Sequence, residues 1–78
     1  MNAPGPTLAD LSPGTVGRIH RVNEASVVGE RLMEMGLVPG TLVQVVEAGR
    51  MGQPMQLLLR GYRLRIRRSD ARRIELSS

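Results

Sequence analysis

Few side chains in this sequence are of types that could do chemistry. His20 is the single histidine. A hydroxyl nucleophile with an imidazole base would therefore have to pair His20 with Ser12, Ser26, Ser69 or a serine of the C-terminal end. Its neighbours Arg18 and Arg21 mark His20 instead as a surface residue on a strand. Cysteine is absent, which removes disulfides, thiolate metal sites and a cysteine nucleophile. One histidine and scattered carboxylates do not supply the four ligands of a zinc site. Glu30 and Glu34 share a helix face at i, i+4 and read as a solvated face rather than as cation ligands. The glycines form neither a dinucleotide fingerprint nor a P-loop. No catalytic, metal or cofactor-binding residue is expected, and the chain reads as a non-enzyme.

The charge pattern is more informative. All eleven basic side chains are arginine. Residues 1–48 hold three of them against five acids, whereas residues 49–78 hold eight against two acids. The positive half attracts anionic partners such as acidic protein surfaces, phospholipid headgroups or nucleic acid. Single-stranded nucleic acid is usually held by several stacked aromatic rings, and Tyr62 is the lone aromatic residue, so no nucleic acid is expected.

The elements that must position these side chains follow from length and punctuation. Seventy-eight residues allow one domain, with a radius of gyration near ~12 Å and a thin core. The longest apolar run, Leu57-Leu58-Leu59, is far short of the roughly 20 residues of a membrane span, and the first residues lack the pattern of a secretory signal. A cysteine-free domain this small fits a reducing compartment, hence the cytoplasm. Residues 1–9, with Pro4, Gly5 and Pro6, read as a loose tail, and residues 10–76 as the domain, with Leu8 or Leu11 first to touch the core.

Gly14 to Val22 reads as a strand with a bulge near Gly17. Asn23 and Ser26 both suit a helix N-cap. Val28, Leu32 and Met35 then recur at i, i+4 and i+7 as the stripe of a short amphipathic helix. Gly36 is expected at the left-handed C′ position, so that Leu37 packs back on Leu32 in a Schellman stop. Pro39-Gly40 is a turn pair. Thr41 to Ala48 forms a strand with Val43 and Val45 on one face and Leu42 and Val46 on the other. After the loop 49–54 come Met55 to Arg60, a tight reversal at Gly61, and Tyr62 to Arg67. There alternation turns Tyr62, Leu64 and Ile66 inward and Arg63, Arg65 and Arg67 outward. Ser69 is expected to cap one helical turn, and Ile74 and Leu76 to close the core. About five short strands with one helix after the first suggest a small barrel or rolled sheet, mostly β.

The run Arg31-Leu32-Met33-Glu34-Met35-Gly36-Leu37-Val38-Pro39-Gly40-Thr41 resembles the FeoA family. Leu11-x-x-Gly14 and Ile19 before it, and Pro54, Gly61, Leu64-Arg65-Ile66-Arg67, Ala71 and Ile74 after it, extend the resemblance over residues 8–76. The resemblance implies an SH3-like β-barrel with a helix inserted after the first strand. It implies no catalysis and no cofactor. It further implies an accessory role in bacterial ferrous iron transport, through contact with the cytoplasmic, GTPase-containing region of the membrane permease FeoB. The chain departs from the family pattern in its arginine density over residues 60–73.

Two surfaces are candidates for partner binding. One is the outward row Arg63, Arg65 and Arg67, read either as a solubilising face or as a docking patch for an acidic partner or an anionic membrane surface. The other is apolar. Met33 lies off the helix stripe, Met51 sits in the loop, and both are expected near Leu37 and Val38 as adaptable contact surface. Leu32, Gly36, Pro39, Gly40 and Gly61 are expected to be structural. The alternative function is a nucleic-acid-binding small barrel that uses the arginine face on phosphates.

Overall fold

The computed structural model describes residues 5–23 and 27–77. Its strands are β1 (Val16–Val22), β2 (Leu42–Glu47), β3 (Met55–Leu59), β4 (Tyr62–Ile66) and β5 (Ile74–Leu76). Helix α1 (Val27–Glu34) follows β1, and the one-turn helix α2 (Arg68–Ala71) follows β4. All neighbouring strands are antiparallel, in the order β4-β3-β2-β1-β5. The Cα radius of gyration is 11.4 Å, the size expected of a packed chain of this length.

Alternation sorts side chains as the sequence requires. Val43 and Val45 of β2, Met55, Leu57 and Leu59 of β3, Ile66 of β4, and Ile74 and Leu76 of β5 are buried in one core with Ile19, Val22, Leu32 and Leu37. Strand β1 begins at Val16 rather than Gly14. Its irregularity lies between Ile19 and Arg21, not at Gly17, and so turns around His20. Gly17 pairs with Val43, and a Cβ there would lie 2.9 Å from a methyl of Leu76. Its lack of a side chain therefore makes room for the core rather than for a bulge.

The helix stop is formed as expected. Gly36 has φ +99°, the Leu37 N–H donates to the Leu32 carbonyl at 3.2 Å, and the Gly36 N–H donates to the Met33 carbonyl at 3.0 Å. The turn that follows is closed by Thr41 N–H on the Val38 carbonyl at 3.1 Å, with Gly40 at φ +92° after Pro39. It delivers the chain to β1: Gly40 N–H donates to the Ile19 carbonyl at 2.7 Å, and Ile19 N–H to the Thr41 carbonyl at 2.9 Å. Of the two N-cap candidates, Ser26 lies outside the described residues. The Asn23 N–H instead donates to the Arg73 carbonyl at 2.9 Å.

Several expectations change. Residues expected in a loose tail pack from Thr7 onward. Thr7 bridges to Glu75, the 3₁₀ turn Leu8–Asp10 follows, and Leu8 and Ala9 join the core because a barrel this thin leaves an end that apolar side chains must close. Tyr62 is 41% exposed rather than inward, since it flanks the β3–β4 turn and its hydroxyl donates to the Met35 carbonyl. Met33 is half-buried against the core rather than off it. The turn of α2 is capped by the backbone of Arg67 and not by Ser69: Asp70 and Ala71 N–H both donate to the Arg67 carbonyl at 3.0 Å.

Arg68 is a tie rather than a surface charge. Its guanidinium donates to the Ala48 carbonyl at 2.8 Å and to the Ala9 carbonyl at 3.0 Å, joining α2, the loop after β2 and the 3₁₀ turn.

Two stability tests follow from these contacts. Gly36→Val places a branched side chain at positive φ, with its Cβ 2.7 Å from the Tyr62 hydroxyl. The expected loss is on the order of 2–4 kcal/mol, or a drop in Tm of at least ~10 °C. An unchanged Tm would contradict the helix stop. Arg68→Leu should cost about 1–3 kcal/mol by denaturant titration, whereas Arg67→Leu, one residue away and exposed, should change stability by less than about 0.5 kcal/mol.

Candidate functional site

The structure separates the arginines into two groups. Arg18 donates to the Gly40 carbonyl at 2.8 Å, Arg60 to the Thr41 hydroxyl at 3.2 Å, and Arg68 to two carbonyls as above. Arg21 forms an ion pair with Glu75 at 2.7 Å. That hydrogen bond, and then the charge of Glu75, raise the Arg21 pKa above its ordinary value. The pair is open to solvent, so it contributes little to stability. By contrast, the side chains of Arg63, Arg65 and Arg67, like those of Arg31, Arg50 and Arg72, are exposed and make no hydrogen bond or ion pair among the described residues.

Arg63 and Arg65 are held on one face by the β3–β4 hairpin. Arg60 and Gly61 both have positive φ, +47° and +82°, as a two-residue type I′ turn requires. Leu59 pairs with Tyr62 across that turn, so Arg63 lies opposite Leu58 and Arg65 opposite Gln56. The registers of the four-stranded part align Val16, Gln44, Leu58 and Arg63 in one row across the outer face. A second row runs Glu47, Gln56 and Arg65, in which Gln56 donates to the Glu47 carboxylate at 2.9 Å. Arg67 leaves the row. It caps α2 and borders Gly49, Gly52 and Gln53 of the β2–β3 loop, because β4 ends at Ile66.

The expected apolar contact surface does not assemble. Leu37 is fully buried, since the helix stop turns it into the core on Leu32. Met33 and Val38 are half-buried. Met51 is 99% exposed, but it sits in the loop leading to Met55, whereas the helix stop abuts Leu59 and Tyr62 at the other end of the same hairpin. Sequence reading missed a different apolar surface. Val16 and Leu42 are 57% and 51% exposed on the outer sheet face, where Gln44 stands between Val16 and half-buried Leu58. Its signal was the apolar character of both faces at residues 42–46.

His20 is exposed at the irregular turn of β1, and Glu30 and Glu34 are exposed on α1. Among the described residues, no three of the His, Asp and Glu side chains come together as a metal would need. Among them also, no helix is long and apolar enough to cross a membrane.

The comparisons agree with this architecture. The FeoA domain model matches residues 7–78. A curated relative from Porphyromonas gingivalis, an Fe(2+) transport protein A/Fe(2+) transporter FeoB fusion protein, is 33% identical over 69 residues, 88% of this chain. The matched region spans only 8% of that relative. Among solved structures, the FeoA-like protein of Clostridium acetobutylicum superposes with a TM-score of 0.84 at 30% identity, covering 97% of this chain and 88% of that one. The FeoA of Stenotrophomonas maltophilia complexed with zinc, described as an SH3 domain protein, gives 0.81 at 27% identity, covering 94% and 91%. This chain is therefore a member of the FeoA family, a small accessory-type domain associated with ferrous iron transport, built as an SH3-like β-barrel.

Proposed function

We propose that this chain is a non-enzymatic accessory protein of ferrous iron uptake that acts by docking on the cytoplasmic, GTPase-containing region of a FeoB-type permease. The observation that carries this reading is the fusion of a 33% identical domain to the transporter in one polypeptide. Fusion makes the encounter of two modules intramolecular, at an effective concentration on the order of millimolar for a short linker. Outside a fusion, a contact surface between the two domains has to replace that proximity.

The geometry is suited to contact. Five paired strands and a tied helix stop present fixed outer surfaces, and two of the exposed cations without a partner in the fold, Arg63 and Arg65, stand together on β4. Docking of this kind holds the protein at the inner face of the membrane. Three exposed arginines would add attraction to an anionic leaflet of about 1 kcal/mol each when near it. Two bases would have to stack for a nucleic-acid reading to compete, and the chain offers one aromatic ring.

The test is retention on the immobilised cytoplasmic region of the permease from the same organism. Expected are retention at physiological salt, weakening as salt rises, and no appreciable affinity for duplex or single-stranded DNA under the same conditions. Absence of retention at low salt, or DNA binding in its place, would overturn the proposal.

A further inference from the structure

We infer that the contact is made at the outer edge of β4, which takes an extended acidic segment of the partner as an added strand. β4 is the last strand of the sheet on its side, so its second edge has no neighbouring strand. The hairpin register fixes which groups lie there. In a two-residue hairpin the closing pair, here Leu59 and Tyr62, exchanges hydrogen bonds, and alternate pairs repeat the pattern. Leu64 and Ile66 therefore bond to β3, while the main-chain N–H and C=O groups of Arg63 and Arg65 point away from it. Neither residue has a main-chain partner on that side among the described residues. The edge thus offers four aligned hydrogen-bonding groups, with an unpaired guanidinium at each of the two residues that carry them.

A bare edge is a template for any extended chain, and charges on it reject apolar strands. Arg63 and Arg65 do so by the same property that selects the occupant. An added antiparallel strand places residues directly opposite Arg63 and Arg65, with side chains on the same outer face, so carboxylates there form two cross-strand charge pairs. The residue between them pairs with Leu64, which is half-buried and packed against the core. The favoured occupant reads acidic–apolar–acidic. Glu47, the acid in register with this face, is bonded to Gln56 rather than to Arg65. A second copy of this chain is a poor occupant. Antiparallel pairing of two β4 edges about Leu64 sets Arg63 against Arg65 twice.

The edge is also fixed before binding. The Tyr62 hydroxyl is tied to the Met35 carbonyl at one end, and α2 is held by Arg68 at the other. Little backbone ordering then opposes strand addition.

This inference deepens the docking reading and rests on it for biological meaning. Its probe is a peptide, so failure at the edge and failure of permease retention are read separately. The full chain is titrated with a ten-residue peptide of alternating glutamate and valine, with a lysine–valine peptide as control, and backbone amides are followed by NMR hydrogen exchange. Expected are slowed exchange at Arg63 and Arg65 with the glutamate peptide and no binding of the lysine peptide. Arg63→Glu with Arg65→Glu should weaken binding by about tenfold or more. Arg65→Pro removes one outward N–H while leaving the Leu64 and Ile66 bonds to β3, and should also reduce binding with the Tm of the parent retained. Slowed exchange elsewhere with Arg63 and Arg65 unchanged would overturn the inference. So would equal binding of the lysine peptide, or full binding by the folded charge-reversed pair.

Discussion

A helix inserted between two paired strands must return the chain to its neighbour in register, and this fold depends on how that return is made. Gly36 reverses the backbone, Leu37 bonds back to Leu32, and the Val38–Thr41 turn sets Gly40 and Thr41 against Ile19. The same site fixes the hairpin across the barrel, because the missing side chain of Gly36 lets Tyr62 reach the Met35 carbonyl. One short segment thus positions α1, starts β2 and anchors the end of β4. Leu32 and Leu37 then bury their side chains in the common core, where apolar burial supplies most of the stability that a thin barrel has.

Charge in this chain is sorted by the backbone rather than by composition. Arginines 18, 60 and 68 spend their donors on oxygens of the fold, and Arg21 meets Glu75. Those cations are part of the architecture. Arg63 and Arg65 differ because their strand is at the edge of the sheet and their partners across it are Leu58 and Gln56. The strongly basic C-terminal half therefore includes a structural set, Arg60 and Arg68, and a set turned to the outside, Arg50, Arg63, Arg65, Arg67 and Arg72. All of these charges contribute to long-range attraction, and the second set also keeps its donors for contact.

Punctuation made much of the fold legible in the sequence. The Leu32–Gly36–Leu37 spacing and the Pro39-Gly40 pair are local devices, and local devices appear in one stretch of sequence. The two faces of β2 and the inward residues of β5 were readable for the same reason, as alternation needs no knowledge of neighbours. What was misplaced depended on long-range geometry. Leu37 is apolar and follows a turn, which reads equally as surface or core until Leu32 is seen beneath it. Met51 and Val38 are near in sequence terms but are set at opposite ends of a hairpin. Tyr62 alternates correctly, yet the strand end and the Met35 carbonyl hold it out of the core. The outward alternation of Arg63 and Arg65 was visible in the pattern, but the edge was not, because strand order is a property of pairing.

The action proposed for this domain is recognition, in which its outer surface meets another polypeptide. Ferrous iron uptake measured in cells that carry Arg63→Glu with Arg65→Glu in place of the native chain tests this most directly. The account predicts normal protein level and folding, with uptake shifted to that of cells lacking the chain. Native uptake by the stably folded variant would contradict it.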